Sequence, residues 1–137
     1  MRIFVDTSSL FKKYVDEPGA EDFERVLAQA TEIAVSPATW IEMNSAVERR
    51  LREGSLSAAQ AEWLRAEARR DFAYFYQVVW NENLEDQAVE LIRKHALKTM
   101  DAVQLASGVL SESAVFLTSD RVLFQAARKV LSKVRLT

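Results

Sequence analysis

Residues 3–8 read IFVDTS, three apolar side chains followed at once by an acid and two hydroxyl residues. The run Ile3–Val5 predicts a short buried strand, since a brief, continuous apolar run suits a strand that is covered on both faces. Thr7 and Ser8 are good N-cap residues, so a helix is expected to begin where this strand ends. A buried strand that leads directly into a helix is typical of α/β proteins.

The same alternation continues outward from this segment along the rest of the chain. Further strands are predicted at 33–35, 78–80, 114–117 and 134–136, and helices at 10–14, 20–30, 36–54, 57–76, 84–96, 100–111 and 119–130. The expected helix starts are Ser36–Pro37, Ser57, Thr99 and Ser119 or Asp120. Short strands alternating with helices predict an α/β fold with a mostly parallel sheet and helices on both faces. A length of 137 residues fits one domain, so residues 1–137 are expected to form a single unit.

Composition limits the possible functions. The chain has no cysteine, which excludes disulfides and thiolate metal sites and fits a reducing cytoplasm. Met1 leads straight into a strand-like segment and no apolar run approaches roughly 20 residues, so neither a signal peptide nor a membrane span is expected. The net charge is −2, from 18 basic and 20 acidic residues. A nucleic acid would therefore have to be held by bound cations and local basic patches instead of bulk charge.

Four acidic residues are notable for their places in this pattern. Asp6 and Asp120 follow predicted strands, and ligands of open parallel sheets bind beyond the carboxyl ends of the strands. Glu42 lies about one turn into its predicted helix and Asp101 lies in the first turn of another, both among apolar neighbours, where an ionised carboxylate is costly unless it is paired or metal-bound. Carboxylates gathered together repel one another unless a cation compensates, and Mg²⁺ or Mn²⁺ suits a site of oxygen ligands. The pattern predicts a divalent-cation site.

Each acid also has a simpler interpretation when it is taken alone. The two acids that follow strands fit helix N-caps, for which Asp is a common choice. Asp101 could be placed to favour the positive end of its helix dipole. Glu42 could form an ion pair with Arg49 or Arg50. The joint placement of the four acids favours the cation site.

Four segments, in order, resemble the motifs of PIN-domain proteins. VDTSSL at residues 5–10 is similar to the opening motif, and ATWIE at 38–42 to the segment that supplies the second acid. LKTMDAVQLA at 97–106 resembles the most recognisable motif, and FLTSD at 116–120, followed by Leu123-Phe124, resembles the last. Their order and spacing are similar to the VapC-type toxin branch of type II toxin–antitoxin systems over essentially the whole chain.

This resemblance implies a three-layer α/β/α fold, endoribonuclease activity that depends on Mg²⁺ or Mn²⁺, a homodimer and a cognate VapB-type antitoxin. The positions that match the family's motifs imply that the catalytic and metal-binding acids are Asp6, Glu42, Asp101 and Asp120, with Ser8 and Thr118 as supporting hydroxyls. One departure is Gln104, where the family often has His, and we do not expect this change to affect the chemistry.

Basic residues near these motifs are candidate RNA contacts. They are Lys12, Lys13, Arg121 and Lys98, although surface Lys and Arg are also the default on solvated helix faces. His95 lies near a predicted helix end, where a cation favours the dipole, and we expect it to act there and not in catalysis.

Aromatic residues in the predicted helical hairpin exceed what one helix face can bury. Trp63 and Tyr74 fall off the apolar stripe, and large exposed aromatics mark interfaces. Together with Trp40 they are candidate contacts for an antitoxin or for a second copy of the chain. Ordinary core packing is the alternative.

Three other functions fit parts of the pattern. A haloacid-dehalogenase-like phosphatase needs a second Asp two residues after the first, where this chain has Ser8. A receiver-like phosphoacceptor needs an acidic pair after the first strand and a late Lys, whereas this chain offers Asp6 alone and then Asp120. A catalytically inert PIN-like module that binds protein or RNA would not need all four acids.

Overall fold

Strands and helices alternate along the whole of the computed structural model, which describes residues Met1–Thr137. It contains five strands and seven α-helices, with a 3-10 turn at Phe11–Lys13. The elements in chain order are β1 (Arg2–Val5), α1 (Thr7–Leu10), α2 (Ala20–Leu27), β2 (Glu32–Val35), α3 (Thr39–Glu53), α4 (Ala58–Phe72), β3 (Tyr76–Gln77), α5 (Glu82–His95), α6 (Thr99–Leu110), β4 (Val115–Thr118), α7 (Arg121–Arg128) and β5 (Val134–Leu136). The predicted α/β alternation is confirmed. None of the helices combines the length and the apolar composition of a membrane-crossing helix.

The five strands form one fully parallel sheet in the order β3-β2-β1-β4-β5. Phe4 of the central strand is aligned with Ala34 on one side and with Phe116 on the other. The chain first adds strands on one side of β1 and then continues on the other side. Where the strand order reverses in this way, the carboxyl ends of the strands open a crevice that binds ligands. Asp6 and Asp120 follow the two strands that border this crevice.

Alternate residues of the central strands face two separate layers of helices. Ile3 and Val5 pack into a core formed with α1 to α4, whereas Phe4 and Phe116 pack into a core formed with α5 to α7. The rings of Phe4 and Phe116 are stacked, with centroids 5.1 Å apart. Period-two alternation with both faces buried is what a parallel sheet requires. The expected three-layer α/β/α arrangement is confirmed.

Helix α6 approaches the sheet closely at Gly108. A Cβ atom at this position would lie against Cδ2 of Phe116, closer than atoms can pack. Glycine therefore allows the helix backbone to rest on the aromatic ring. This contact seats the helix that carries Asp101.

Several helix starts differ from the predicted ones. Thr7 is the first residue of α1 and not its cap. Ser36 closes a turn before α3, with its Oγ accepting from the Ala38 backbone N–H at 3.1 Å, so α3 begins two residues after Pro37. Thr99 is the first residue of α6, again without capping it. The Ser57 cap is confirmed, with a full capping box to Gln60.

The third strand lies at Tyr76–Gln77, so the prediction of a strand at 78–80 was wrong. Helix α4 ends at Phe72, four residues earlier than expected, which leaves room for the short edge strand. Both strand residues are exposed, whereas Val79 and Trp80 of the predicted strand are exposed residues of a loop. An edge strand pairs by its backbone, and the apolar run was therefore a misleading signal for its position.

Candidate active site

A cleft of about 570 Å³ opens at the carboxyl ends of β1 and β4, and all four predicted acids line it. Asp6 follows β1 and Asp120 precedes α7, while Glu42 and Asp101 lie in the first turns of α3 and α6. Four different elements thus bring together acids that are far apart in the sequence. Ser8 also lines the cleft, and Thr118 lies beneath it as the last residue of β4.

Asp6 is the most buried of the four acids, and the protein holds only one of its two oxygens. Its Oδ2 accepts hydrogen bonds from Ser8 Oγ at 2.7 Å and from Thr118 Oγ1 at 2.8 Å. Both hydroxyls are fixed in turn, because the backbone N–H groups of Ser119 and Asp120 donate to them, each at 3.0 Å. Asp6 occupies the N-cap position of α1 but makes no side-chain cap bond, so the capping interpretation of Asp6 was wrong.

Asp120 combines a structural role with its place in the cleft. Its Oδ1 accepts from the backbone N–H of Val122 at 2.8 Å and of Leu123 at 3.1 Å. The capping interpretation of Asp120 is therefore correct. Its Oδ2 receives no hydrogen bond from the protein, so the same side chain caps α7 and presents a second oxygen to its surroundings.

Glu42 is held by neutral donors and not by an arginine. Its Oε1 accepts from Thr7 Oγ1 at 3.0 Å and from Gln104 Nε2 at 2.5 Å. Arg50 pairs with Glu17 at 3.1 Å instead, and no ion pair reaches Glu42. The suggested Glu42–arginine pair is therefore wrong.

Gln104, the one departure from the family motif and a residue that we did not expect to affect the chemistry, is buried against Glu42. Its Nε2 also lies 3.0 Å from Thr7 Oγ1 and 3.2 Å from Thr39 Oγ1, while its Oε1 is buried without a partner. The opposite amide orientation would press an oxygen against the Glu42 carboxylate, so this orientation follows from the chemistry. The available signal was an amide inside the otherwise apolar and small-residue segment 102–108, and Thr7 gave no signal beyond its place after Asp6.

Burial and mutual repulsion disfavour the charged forms of these acids. Burial, the largest cause, raises the pKa of Asp6 to about 6; the charges of Glu42 and Asp120 add to the increase, and the two hydroxyl hydrogen bonds oppose it. Burial also raises the pKa of Asp101, followed by the charges of Asp120 and Glu42, while Lys98 lowers it. No ion pair in the chain includes any of the four carboxylates. The site therefore concentrates negative charge without a direct cationic partner from the protein.

The carboxylates line one cleft without meeting at one point. No three Asp, Glu or His side chains approach one another as a group that could hold a metal ion. The oxygens that receive no protein hydrogen bond are Oδ1 of Asp6, Oε2 of Glu42, Oδ2 of Asp120 and both carboxylate oxygens of Asp101.

The predicted basic contacts differ in how available they are. Lys12 is only 8% exposed, and its ammonium donates to the Pro18 carbonyl at 2.7 Å. It secures the loop before α2 and also lines the acidic cleft, and its contact with RNA stays a prediction. Lys13 donates to Asp71 Oδ2 at 2.7 Å, while Arg121 is exposed at the start of α7.

The three aromatic candidates lie at different depths. Trp63 is 53% exposed and Tyr74 is 87% exposed, in keeping with their predicted places off the apolar stripe. Trp40 is half-buried, packing edge-on against Phe72 and lying under the Arg69 guanidinium, 4.1 Å from the ring centroid. Two of the three are therefore available at the surface.

The fold is shared with solved toxin–antitoxin proteins. The match to VapBC2 from Rickettsia felis, solved with a DNA fragment from its promoter, spans 100% of this chain and 99% of the matched chain. The identity is 10% and the TM-score is 0.69. The match to Mycobacterium tuberculosis VapC20, described as a Sarcin-Ricin loop cleaving toxin, spans 90% of this chain and 94% of the VapC20 chain. The identity is 21% and the TM-score is 0.67. A toxin–antitoxin complex from Klebsiella pneumoniae covers 86% of both chains at 19% identity, with a TM-score of 0.63.

No curated protein matches the chain in sequence. The family model of the PIN domain, however, matches residues 3–129, which include all four acids of the cleft and both supporting hydroxyls. The four-motif resemblance is therefore confirmed, and the chain belongs to the PIN domain family.

Proposed function

We propose that this chain is a divalent-metal-dependent endoribonuclease and the toxin of a VapBC-type pair. The observation that carries the proposal is the cleft itself: four carboxylates without an ion-pair partner line it, and each keeps an oxygen that no protein group occupies. A cluster of unpaired carboxylates lowers the stability of the fold. A hard cation that takes oxygen ligands would offset this cost.

The residues present fit Mg²⁺ or Mn²⁺. Asp6 and Asp101 would hold the cation, with Glu42 and Asp120 acting directly or through water, and the donor set contains neither sulfur nor nitrogen. Burial and repulsion raise the pKa values of Asp6 and Asp101 and so disfavour their charged forms, a cost that a bound divalent cation would offset. A divalent cation bound there would supply a water of lowered pKa and would neutralise charge that develops on a phosphodiester.

The chain's own residues orient these ligands. Ser8 and Thr118 hold one oxygen of Asp6 and leave the other free, and Gln104 with Thr7 does the same for Glu42. Hydrogen bonds to the outer oxygen of a ligating carboxylate fix its direction and tune its affinity. In this mechanism water would attack the phosphorus in line and lose a proton, the P–O bond on the opposite side would break, and the departing ribose oxygen would take up a proton. No side chain serves as the nucleophile.

The partner and assembly parts of the proposal rest on the structural neighbours and on exposed aromatics. The neighbours include VapBC2 and FitAcB of Neisseria gonorrhoeae, and the Klebsiella pneumoniae structure is a toxin–antitoxin complex. We place a VapB-type antitoxin or a second copy of the chain on the surface that carries Trp63 and Tyr74. Light scattering of the purified chain tests the homodimer. Co-purification with a VapB-type antitoxin, should a small neighbouring reading frame encode one, tests the antitoxin contact. Both assays are repeated with Trp63→Ala, and unchanged association in both would remove this surface from the proposal.

The decisive experiment is cleavage of a mixed RNA pool by the purified chain in Mg²⁺, in Mn²⁺ and in EDTA. The Asp101→Asn variant is the test protein and Glu62→Gln, which changes an exposed acid outside the cleft, is the matched control. We expect cleavage that requires the cation, is lost in Asp101→Asn and persists in Glu62→Gln. Equal cleavage by wild type and Asp101→Asn would reject the site. Absence of cleavage by a folded chain that binds Mn²⁺ would favour the inert binding module instead.

A further inference from the structure

A second groove adjoins the acidic cleft and shares two residues with it. Asp101 and Asp120 line both spaces, so the two are continuous at these side chains. The groove has a volume of about 550 Å³ and lies between the α5–α6 connection and α7. A linear ligand at the acids therefore has a direct path into it.

The groove is basic where the cleft is acidic. Its ionisable residues, apart from the two shared acids, are Lys94, His95, Lys98 and Lys129. Lys98 and Lys129 are exposed and take part in no ion pair, whereas Lys94 pairs with Glu90 of its own helix at 3.2 Å.

The acidic cleft itself is lined by three basic residues, and two of them are engaged. Lys12 and Arg50 both pair with Glu17, at 3.5 Å and 3.1 Å, whereas the exposed Arg49 takes part in no ion pair. Lys98 and Lys129 are the cations without an ion-pair partner on the groove side of the acids.

We propose that this groove binds the phosphates of a single-stranded RNA that extends from the acidic cleft, an inference that rests on the proposed endoribonuclease function. A chain of net charge −2 with an acidic site repels RNA, and a local basic track is the physical remedy. Single-stranded nucleic acids bind positively charged grooves that follow the backbone. The phosphate next to the scissile one then lies near Lys98, and later phosphates lie toward Lys129.

The test measures binding of a short fluorescent single-stranded RNA in Mg²⁺ across a range of salt concentrations. The Asp6→Asn background is chosen because we expect it to leave the RNA intact, and the Lys98→Gln and Lys129→Gln changes are added singly and together. We expect each change to weaken binding to a similar degree for RNAs of different sequence. We also expect each to reduce the slope of log affinity against log salt by about 0.7, the value for one lost phosphate contact on a single strand.

The matched control is Lys133→Gln, because Lys133 is an exposed lysine at the start of β5, at the opposite end of the sheet from the acids. It removes the same charge and should leave affinity and salt slope unchanged. Unchanged binding in the Lys98→Gln, Lys129→Gln double variant, beside RNA cleavage by the wild-type chain, overturns the groove alone. If Lys133→Gln loses as much RNA affinity as the groove variants, the effect reflects net charge alone, and the groove proposal is overturned. A wild-type chain that neither binds nor cuts RNA overturns the proposed function and the groove together.

Discussion

Asp6 is a buried carboxylate whose charged form lowers the stability of the fold, and it lines the acidic cleft. It is 5% exposed, two hydroxyls hold its Oδ2, and its Oδ1 has no donor from the protein. Burial raises its pKa to about 6, whereas the ordinary value is 3.8. At neutral pH the folded chain therefore carries a charge that the unfolded chain solvates more favourably. Sites that bind cations commonly accept such a cost, because the bound ion later compensates for it.

This cost predicts a pH-dependent effect of Asp6→Asn in EDTA. Between about pH 4 and pH 6 the folded state holds a proton that the unfolded state has released, so the wild-type free energy of unfolding falls as pH rises through this window. The neutral Asn removes that dependence and should make the variant more stable by about 2–3 kcal/mol above pH 6, with no difference near pH 3. Urea unfolding at several pH values measures this. Parallel pH profiles for the two proteins would contradict the pKa assignment.

Gln104 leads to a prediction about ligand orientation. Replacing it by Leu removes the Nε2 donor to Glu42 and leaves Thr7 Oγ1 as the one side-chain donor that orients that carboxylate. Outer hydrogen-bond partners of metal ligands typically contribute 10- to 100-fold in metal affinity, so calorimetric titration should show Mn²⁺ binding weakened by about that factor. Gln104→His retains a ring N–H donor and should restore most of the affinity. Equal Mn²⁺ affinities in the wild type and the Leu variant would mean that Gln104 only fills space.

Single residues also mark the limit of what the sequence reveals. The four acids were recognisable because each follows a strand or opens a helix, and these positions are local properties. The Gln104–Glu42 contact was not, because it depends on how α6 is seated against the sheet by Gly108. The burial of Lys12 was unpredictable for a similar reason, because its ammonium reaches the Pro18 carbonyl only when the loop has brought that carbonyl to it.

At the scale of elements, α7 shows how one residue serves two purposes. Its N-terminal N–H groups need an acceptor, and Asp120 provides it with one oxygen while the other is left for the cleft. Any substitution of Asp120 for a functional test therefore risks confusing a lost ligand with a frayed helix.

Two neutral substitutions separate these purposes. Asp120→Asn keeps a side-chain oxygen for the cap, whereas Asp120→Ala does not, so the Ala variant should be less stable than the Asn variant by about 1 kcal/mol in urea unfolding. Both remove the carboxylate and should weaken Mn²⁺ binding to the same extent. Because neither carries charge, the difference in stability isolates the cap. If the Asn and Ala variants unfold at the same urea concentration, Asp120 does not cap α7 in solution.

Element boundaries were predictable where local chemistry determines them. Ser57 caps α4 through a capping box that the sequence displays directly. The edge strand Tyr76–Gln77 was missed, because it has exposed side chains and pairs only by its backbone with β2. Pro37 was misread for a related reason: it stands in a turn that Ser36 closes, although its type equally suits the first position of a helix.

At the scale of the whole molecule, topology creates the site. A parallel sheet with covered faces was predictable from short apolar strands between helices. The order β3-β2-β1-β4-β5 was not, since it depends on which side of β1 each crossover returns to. That order places β1 beside β4, and the Asp6 backbone N–H donates to the Leu117 carbonyl at 2.9 Å, where the two strands end. The reversal therefore makes neighbours of Asp6 and Asp120, residues from opposite ends of the chain.

Because the cleft joins elements from the whole chain, cation binding should appear in global stability. At 100 times the dissociation constant, a bound ion adds about 2.7 kcal/mol, which for a chain of this size corresponds to an increase of roughly 10 °C in melting temperature. We expect Mn²⁺ to produce this increase at pH 7.5. The increase should be smaller at pH 5, where Asp6 must first lose a proton to bind the ion. Thermal melts of wild type, Glu42→Gln and the control Glu62→Gln measure it. The Glu42→Gln variant should lose most of the gain and the control should retain it, whereas an equal gain in all three proteins would place the ion outside the cleft.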